Sequence, residues 1–312
     1  MAEPVALLAL GLDAAIGWPD AVYRRIGHPV VWFARIIDRA EARWNRPSRS
    51  ARSRRAGGVA TVVILLLVAG GGAATIQWLL FAVLGRWSWV IVALLAAPGL
   101  AQRSLYDHVR AVRIGLGHGN LEEARRAVGR IVGRETARLD EAGIARATIE
   151  SLAESYCDGV GAPLFWLLLL GLPGLWAYKA INTADSIIGH REERWRHFGW
   201  AAARMDDALN LIPARLCGVV ICLCGGGGWR TMWRDASRHA SPNAGWPEAA
   251  MAGALGLRLG GPVTYDGVVH DKPWLGGGTA AARATDIGRA LAIYLRACLC
   301  QWAIAGVFAW AR

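Results

Sequence analysis

Residues 57–85, GGVATVVILLLVAGGGAATIQWLLFAVLG, run for 29 positions without a charged side chain. At about 1.5 Å per residue, a helix of that length exceeds the roughly 30 Å hydrocarbon core of a bilayer, so a tilted membrane span is expected. Arg86 interrupts, and 87–101 (WSWVIVALLAAPGLA) supplies a second apolar run. The pattern predicts a helical hairpin over 57–101 that turns near Gly85–Arg86.

Charge gives this hairpin a direction. The chain carries 35 Lys+Arg against 24 Asp+Glu, a surplus of +11, and its only lysines are Lys179 and Lys272. Ten arginines lie within 19–56 against Asp20, Asp38 and Glu41, while 102–160 holds nine arginines matched by nine acids. Both arginine-rich flanks are expected in the cytoplasm, because basic residues accumulate on that side of a membrane. The surplus is thus mainly a signal of topology. A 54% hydrophobic content excludes intrinsic disorder. Nucleic acid is not an expected partner: RWNRPSRSARSRR (43–55) holds one Trp in a Ser/Pro-rich context, not interleaved stacking aromatics. It reads as a linker facing lipid headgroups.

The other apolar runs are shorter or broken. Residues 5–18 carry Asp13, 162–178 are interrupted by Gly171, Pro173 and Gly174, and 208–229 contain Pro213 and Arg215. Broken segments of this kind are either re-entrant helices buried in protein or helices of a soluble-side region. Residues 290–311 are long enough to span, with Arg296 inside. The expectation is an all-α polytopic membrane protein with transmembrane and re-entrant helices, whose cytoplasmic helical and loop segments form the active site. It comprises a single integral-membrane domain over 1–312: a first apolar helix (5–18), a basic cytoplasmic loop (19–56), the hairpin (57–101), a motif-bearing region with short apolar helices (102–289) and a C-terminal span (290–311). No signal peptide is expected, since MAEP lacks a basic n-region.

Several motif readings fail. Cys222/Cys224 and Cys298/Cys300 are two apart, with no CxxC pair and no zinc-spaced histidines, so buried free thiols are expected. Gly225–Gly228 is followed by Trp229 and Arg230 rather than Lys-Ser/Thr, which excludes a phosphate loop and leaves a flexible or tightly packed helix end.

The informative polar residues lie between the apolar runs. In RATIESLAESYCDGVGAP (146–163), Glu150, Glu154 and Asp158 recur every four residues, which stacks three carboxylates on one helical face. Like charges at that spacing repel, so either a cation such as Mg²⁺ offsets them or arginines answer a solvated acidic face. Ile149, Leu152, Ala153 and Tyr156 mark the packed side. Lys179, Asn182, Asp185 and Ser186 share a face beside an apolar run, and Arg204, Asp207 and Asn210 are near neighbours on another helix. Asn243 follows Pro242 in a Pro/Gly-rich segment (241–278) with one short helix at 248–258. It stands either in a ligand-facing turn or in an ordinary surface loop. Arg134 and Thr136 suit a phosphate-contacting turn.

The segments IVGRET..LDE (131–141), IESLAE...DGV.APLFW (149–166), YKAINTADSIIGHR (178–191), FGWAAARMDDALNLIPARL (198–216) and SPNAGWPEAAMAGALGLRLGG (241–261) together resemble the adenosylcobinamide-phosphate synthase family of cobalamin biosynthesis. LDAAIGWPDAVYRRIGHPVVW (12–32) and DKPWLG (271–276) fit it too. One stretch departs: the family usually carries Glu-Asn, two further residues and Asp-Gly, whereas here the run is Glu154-Ser155-Tyr156-Cys157-Asp158-Gly159.

The resemblance implies a multi-pass enzyme of the inner cell membrane. It would condense adenosylcobyric acid with (R)-1-aminopropan-2-ol phosphate, consuming ATP with Mg²⁺, to give adenosylcobinamide phosphate; the corrinoid is a substrate and not a bound cofactor. Glu150, Glu154 and Asp158 are then expected to hold Mg²⁺, and one of them to take a proton. Lys179 and Arg134 would bind phosphate, and Asn182, Asp185, Arg204, Asp207 and Asn243 would orient substrates, with Asp185 also placed among the catalytic groups. Neighbouring enzymes of the pathway and further copies of the chain count among the partners to be expected. The rival reading is a non-catalytic membrane sensor or transport component of the same architecture.

Overall fold

The computed structural model describes residues 4–133, 135–190, 192–265 and 268–311. Their helices are, in chain order, α1 (Val5–Ala15), α2 (Asp20–Ile26), α3 (Pro29–Trp44), α4 (Ala51–Leu65), α5 (Gly72–Leu84), α6 (Ser88–Ala96), α7 (Gln102–Gly117) and α8 (Leu121–Val128). There follow α9 (Glu141–Tyr156), α10 (Ala162–Ile188), α11 (Trp200–Leu209), α12 (Leu211–Gly225), α13 (Trp229–Asp235), α14 (Gly245–Leu255) and α15 (Ala284–Ala311). Strands are confined to two short antiparallel pairs: β1 (Leu259–Gly260) with β4 (Trp274–Leu275), and β2 (Val263–Tyr265) with β3 (Val268–His270). The protein is an all-α polytopic membrane protein. Among the described residues, the helical stretches Ala51–Gly117, Glu141–Ile188 and Ala284–Ala311 are long and apolar enough to cross a bilayer. α11 and α12, bent by 49° where they meet, would make a fourth if counted as one broken span. Large apolar side chains stand exposed along these stretches, among them Leu67, Trp78, Val83 and Leu299. A bilayer would cover them where water would leave an apolar patch.

The packing falls into two compact units. The first comprises 1–101, 162–210 and 304–312; the second comprises 102–161 and 211–303.

In the first unit, the basic segment 19–56 is helical over most of its length. α3 starts where Pro29 fits its first turn and the Val30 N–H donates to His28 Nδ1 (3.3 Å). It buries Phe33, Ile37 and Ala40, while its arginines lie on the other faces. The expected turn at Gly85–Arg86 is present as a short 3₁₀ segment, Gly85–Trp87. The break expected in 162–178 is also present, at Gly171 (φ +69°) inside α10. The break frees the Leu172 N–H, which donates to Gln77 Oε1 on α5 (2.9 Å). This fits the rule that irregular backbone at membrane depth needs a protein partner. A Cβ at Gly171 would lie 2.7 Å from that same oxygen, so both the positive φ and the close approach require glycine.

In the second unit, α14 packs against α12, α13 and α9, and α9 also packs against α7. α9 begins at Asp140, whose Oδ1 accepts from the Gly143 N–H (2.7 Å). As expected, it buries Ile149, Leu152, Ala153 and Tyr156. It ends in a single π-helical turn, Cys157–Gly161. Gly225 closes α12 in a tight packing contact: a Cβ there would lie 2.6 Å from that of Ala254. Among the described residues the six cysteines are free thiols, with Cys224 and Cys300 only partly buried.

Candidate functional site

Two polar groupings emerge, one in each unit, and each is built by local sequence.

In the second unit a cavity of about 280 Å³ is lined by Glu150, Ser151 and Glu154 of α9, Glu248 of α14, His239, and Lys272 of the loop before β4. The four-residue repeat on α9 brings Glu150 and Glu154 to the same wall, as the spacing predicts. Each wall is fixed by hydrogen bonds. Glu150 Oε1 accepts from the Gly260 N–H in β1 (2.9 Å). Ser151 Oγ donates to the Ile131 carbonyl (2.6 Å).

The Ser241 N–H donates to His239 Nδ1 (3.0 Å), which leaves the ring hydrogen on Nε2. That Nε2 lies 3.6 Å from Glu248 Oε1, in the first turn of α14, where a carboxylate also meets the positive end of the helix. Burial holds His239 below its ordinary pKa, and the Lys272 charge pushes the same way, against a raising contribution from the Ser241 backbone.

Lys272 is carried by a loop that is anchored at several points. β1 and β4 pair Leu259 with Leu275 and Gly260 with Trp274. Arg146 and Arg258 lie over the Trp274 ring at 5.6 and 4.6 Å. The Gly276 N–H donates to Oδ2 of Asp235 (2.8 Å). Asp235 is wholly buried, and it also accepts from Arg234 (2.6 and 2.8 Å) and meets Arg238 at 3.2 Å. Its hydrogen bond with Arg234 holds its carboxyl below the usual carboxylate range against the opposing effect of burial; the Gly276 N–H and the Arg238 charge assist. Gly276 has φ +98°, and a Cβ there would lie 2.3 Å from the Leu257 carbonyl oxygen, so the anchor point admits only glycine.

In the first unit, Asp206 is a buried carboxylate with a hydrogen-bonded surround. Its Oδ1 accepts from Asn182 Nδ2 (3.2 Å) and its Oδ2 from Asn210 Nδ2 (3.0 Å), while Tyr178 Oη donates to Asn210 Oδ1 (3.0 Å). Asp185 stands close enough for its charge to act on Asp206. Asp207, the neighbour that the spacing singled out, instead pairs with the exposed Arg204 at 2.7 Å. Lys179 acts on His28, whose pKa is lowered to about 4, mainly by burial and then by the lysine charge, against a raising contact from the Pro98 backbone.

The structure thus brings Glu150 and Glu154 to one cavity, and Asn182, Asp185 and Asp206 to one network. Asp158 lies in the π-helical turn and does not line the cavity. Asn243 is buried, and its Oδ1 accepts from Arg215 at 3.5 Å. Arg134 lies outside the described residues. Among those residues no group of three or more His, Cys, Asp or Glu side chains is placed to hold a metal ion. Two carboxylates, Glu150 and Glu154, do share the cavity, and Mg²⁺ uses such a pair when phosphate oxygens supply its other ligands.

Sequence reasoning assigned no site role to His28, Asp206, Asp235, His239, Glu248 and Lys272. Three signals were available: the two lysines are the chain's only ones, His239 and Glu248 flank a Pro/Gly-rich turn, and Asp206 sits four residues before Asn210.

The family model described as CobD/Cbib protein matches residues 6–294. A cobalamin biosynthesis protein CobD from Rhodobacter capsulatus is 50% identical over 93% of this chain and 92% of its own length. The CobD proteins from Sinorhizobium sp. (96% of each chain) and Brucella anthropi (92% of this chain, 90% of its own) are each 45% identical. No solved structure matches. With a family match across nearly the whole length and relatives at close to half identity, the chain belongs to the CobD/Cbib family and has a role in cobalamin biosynthesis.

Proposed function

We propose that the protein is an ATP-dependent amide ligase that joins the free propionate of adenosylcobyric acid to (R)-1-aminopropan-2-ol phosphate, giving adenosylcobinamide phosphate. The observation that carries this reading is the second-unit cavity, in which carboxylates and a lysine line one small space. A carboxylate is a poor acyl donor, so ATP first transfers its terminal phosphoryl group to the propionate oxygen, releasing ADP. The amine then attacks the acyl carbon, the C–N bond forms, and the C–O bond to phosphate breaks. The amine must reach that step as the free base, which requires a carboxylate to take its proton. Cationic side chains offset the phosphate charge.

In this scheme Lys179 and Arg134 are phosphate-binding residues. Glu150 and Glu154 would hold Mg²⁺, which when bound would neutralise phosphate charge; Asp158, expected beside them, does not line the cavity. Asn182, Asp185, Arg204, Asp207 and Asn243 orient the substrates, with Asp185 also counted among the catalytic groups. The enzyme sits in the inner membrane with this chemistry facing the cytoplasm, a reading supported by the arginine surplus of 19–56.

The test is purified protein in detergent given Mg-ATP, adenosylcobyric acid and aminopropanol phosphate, with product followed by chromatography and mass. The expected result is stoichiometric adenosylcobinamide phosphate and ADP. A folded preparation that makes neither would favour the sensor reading. Glu154→Gln and Asp185→Asn should each lower kcat by roughly 10²–10⁴ while the protein still inserts in the membrane. Full activity in both variants overturns the assignment.

A further inference from the structure

The cavity of the second unit is also selective, through its size and the sign of its walls. At about 280 Å³ it falls just below the roughly 300–1,000 Å³ typical of pockets for drug-sized ligands. A short phosphorylated amine fits within that space. Its charged lining is mixed: Lys272 from the loop, Glu248 from the first turn of α14, and the Glu150/Glu154 wall of α9. A ligand that answers such a lining carries a positive and a negative group on a short frame. The segments that carry Lys272 and Glu248 are both tied in place. The lysine loop is tied by the β1–β4 pairing and by the Gly276 N–H on buried Asp235. Glu248 is 5% exposed and faces the Nε2–H of His239, whose other nitrogen is bound to the Ser241 N–H. Held at Nδ1 by the Ser241 backbone, the His239 ring stands beside Glu248 and limits where that carboxylate can sit.

We propose that this cavity is the subsite for the small phosphorylated amine, with Lys272 contacting its phosphate, Glu248 contacting its ammonium, and His239 and Asp235 acting as positioning residues. The inference rests on the proposed ligase reading, since that reaction calls for such a substrate. It adds that this substrate docks within the second unit, on Lys272 and Glu248, beside the Glu150/Glu154 pair proposed for Mg²⁺. Glu248 is then the carboxylate best placed to accept the ammonium proton before the amine attacks.

Binding tests this without turnover. The full chain in lipid nanodiscs is titrated calorimetrically with three probes: aminopropanol phosphate, aminopropanol without phosphate, and isopropyl phosphate without the amine. In wild type the first should bind at least tenfold more tightly than either fragment. Lys272→Gln should weaken aminopropanol phosphate at least tenfold while changing aminopropanol less than twofold, and Lys272→Arg should restore most of the loss. Glu248→Gln should weaken aminopropanol phosphate similarly and leave isopropyl phosphate unchanged. Should Glu248→Gln fail to fold, the lysine arm decides alone. Wild-type affinity for aminopropanol phosphate in Lys272→Gln overturns the subsite, as does an equal loss for all three probes in either variant. The two readings fail separately: product formation with an unchanged KM for the amine in both variants sinks the subsite and spares the ligase. Selective binding by a wild-type protein that forms no amide sinks the ligase and spares the subsite.

Discussion

Adjacent aspartates can be told apart only by what surrounds them. Asp206 is buried and accepts from Asn182 and Asn210, whereas Asp207 reaches outward to an exposed arginine. Asp206→Ala leaves the buried Asn210 amide and the half-buried Asn182 amide without their acceptor and should cost about 1–3 kcal/mol. Asp207→Ala removes a partly exposed pair and should cost about 1 kcal/mol or less. Thermal unfolding in detergent separates them, and equal losses would refute the distinction. The four-residue repeat of Glu150 and Glu154 was legible in sequence because helical periodicity is local. The choice between Asp206 and Asp207 was not, because it depends on Asn182, 24 positions away on another helix. His28 yields a pH effect. The fold holds it neutral down to about pH 4, while an unfolded chain protonates near 6.5. Between those values the unfolded state binds more protons, so stability should fall as pH drops from 6.5 towards 4. His28→Gln should flatten that slope in unfolding curves recorded across the window, and an unchanged slope would refute the assignment.

Among the elements, α10 shows how a break is tolerated at membrane depth. Gly171, Pro173 and Gly174 announced the interruption in the sequence. Its remedy was not announced: Gln77 lies in the long uncharged run, 95 positions from the backbone group it accepts from. Its role appears only when α5 meets α10. Gln77→Leu should leave the Leu172 N–H without an acceptor and cost about 1–3 kcal/mol, read as a lower unfolding temperature in detergent. Gln77→Glu should recover much of the loss, because one carboxylate oxygen can still accept. If Gln77→Leu is as stable as wild type, the capping role is wrong. The loop bearing Lys272 shows the same limit. Its motif was visible, but the anchors on Asp235 and β1 join positions more than ten residues apart and were not.

For the molecule as a whole, the long apolar runs fixed the membrane character early, and the helical content followed from the requirement that lipid-embedded backbone satisfy itself. What sequence order concealed is the weaving of the two units, each assembled from separated stretches. Val5 and Ala6 of α1 line one cavity, of about 480 Å³, together with Ala305 and Phe308 of α15. The first unit therefore draws on both extremes of the chain. During synthesis, residues 1–101 must wait in the bilayer, partly unpartnered, until 162–210 and then 304–312 have been threaded in after them. A ribosome stalled just short of residue 304 would leave the earliest-made helices as the unfinished ones while the second unit is complete, so quality-control proteases that meet such a nascent chain should cut first near its beginning.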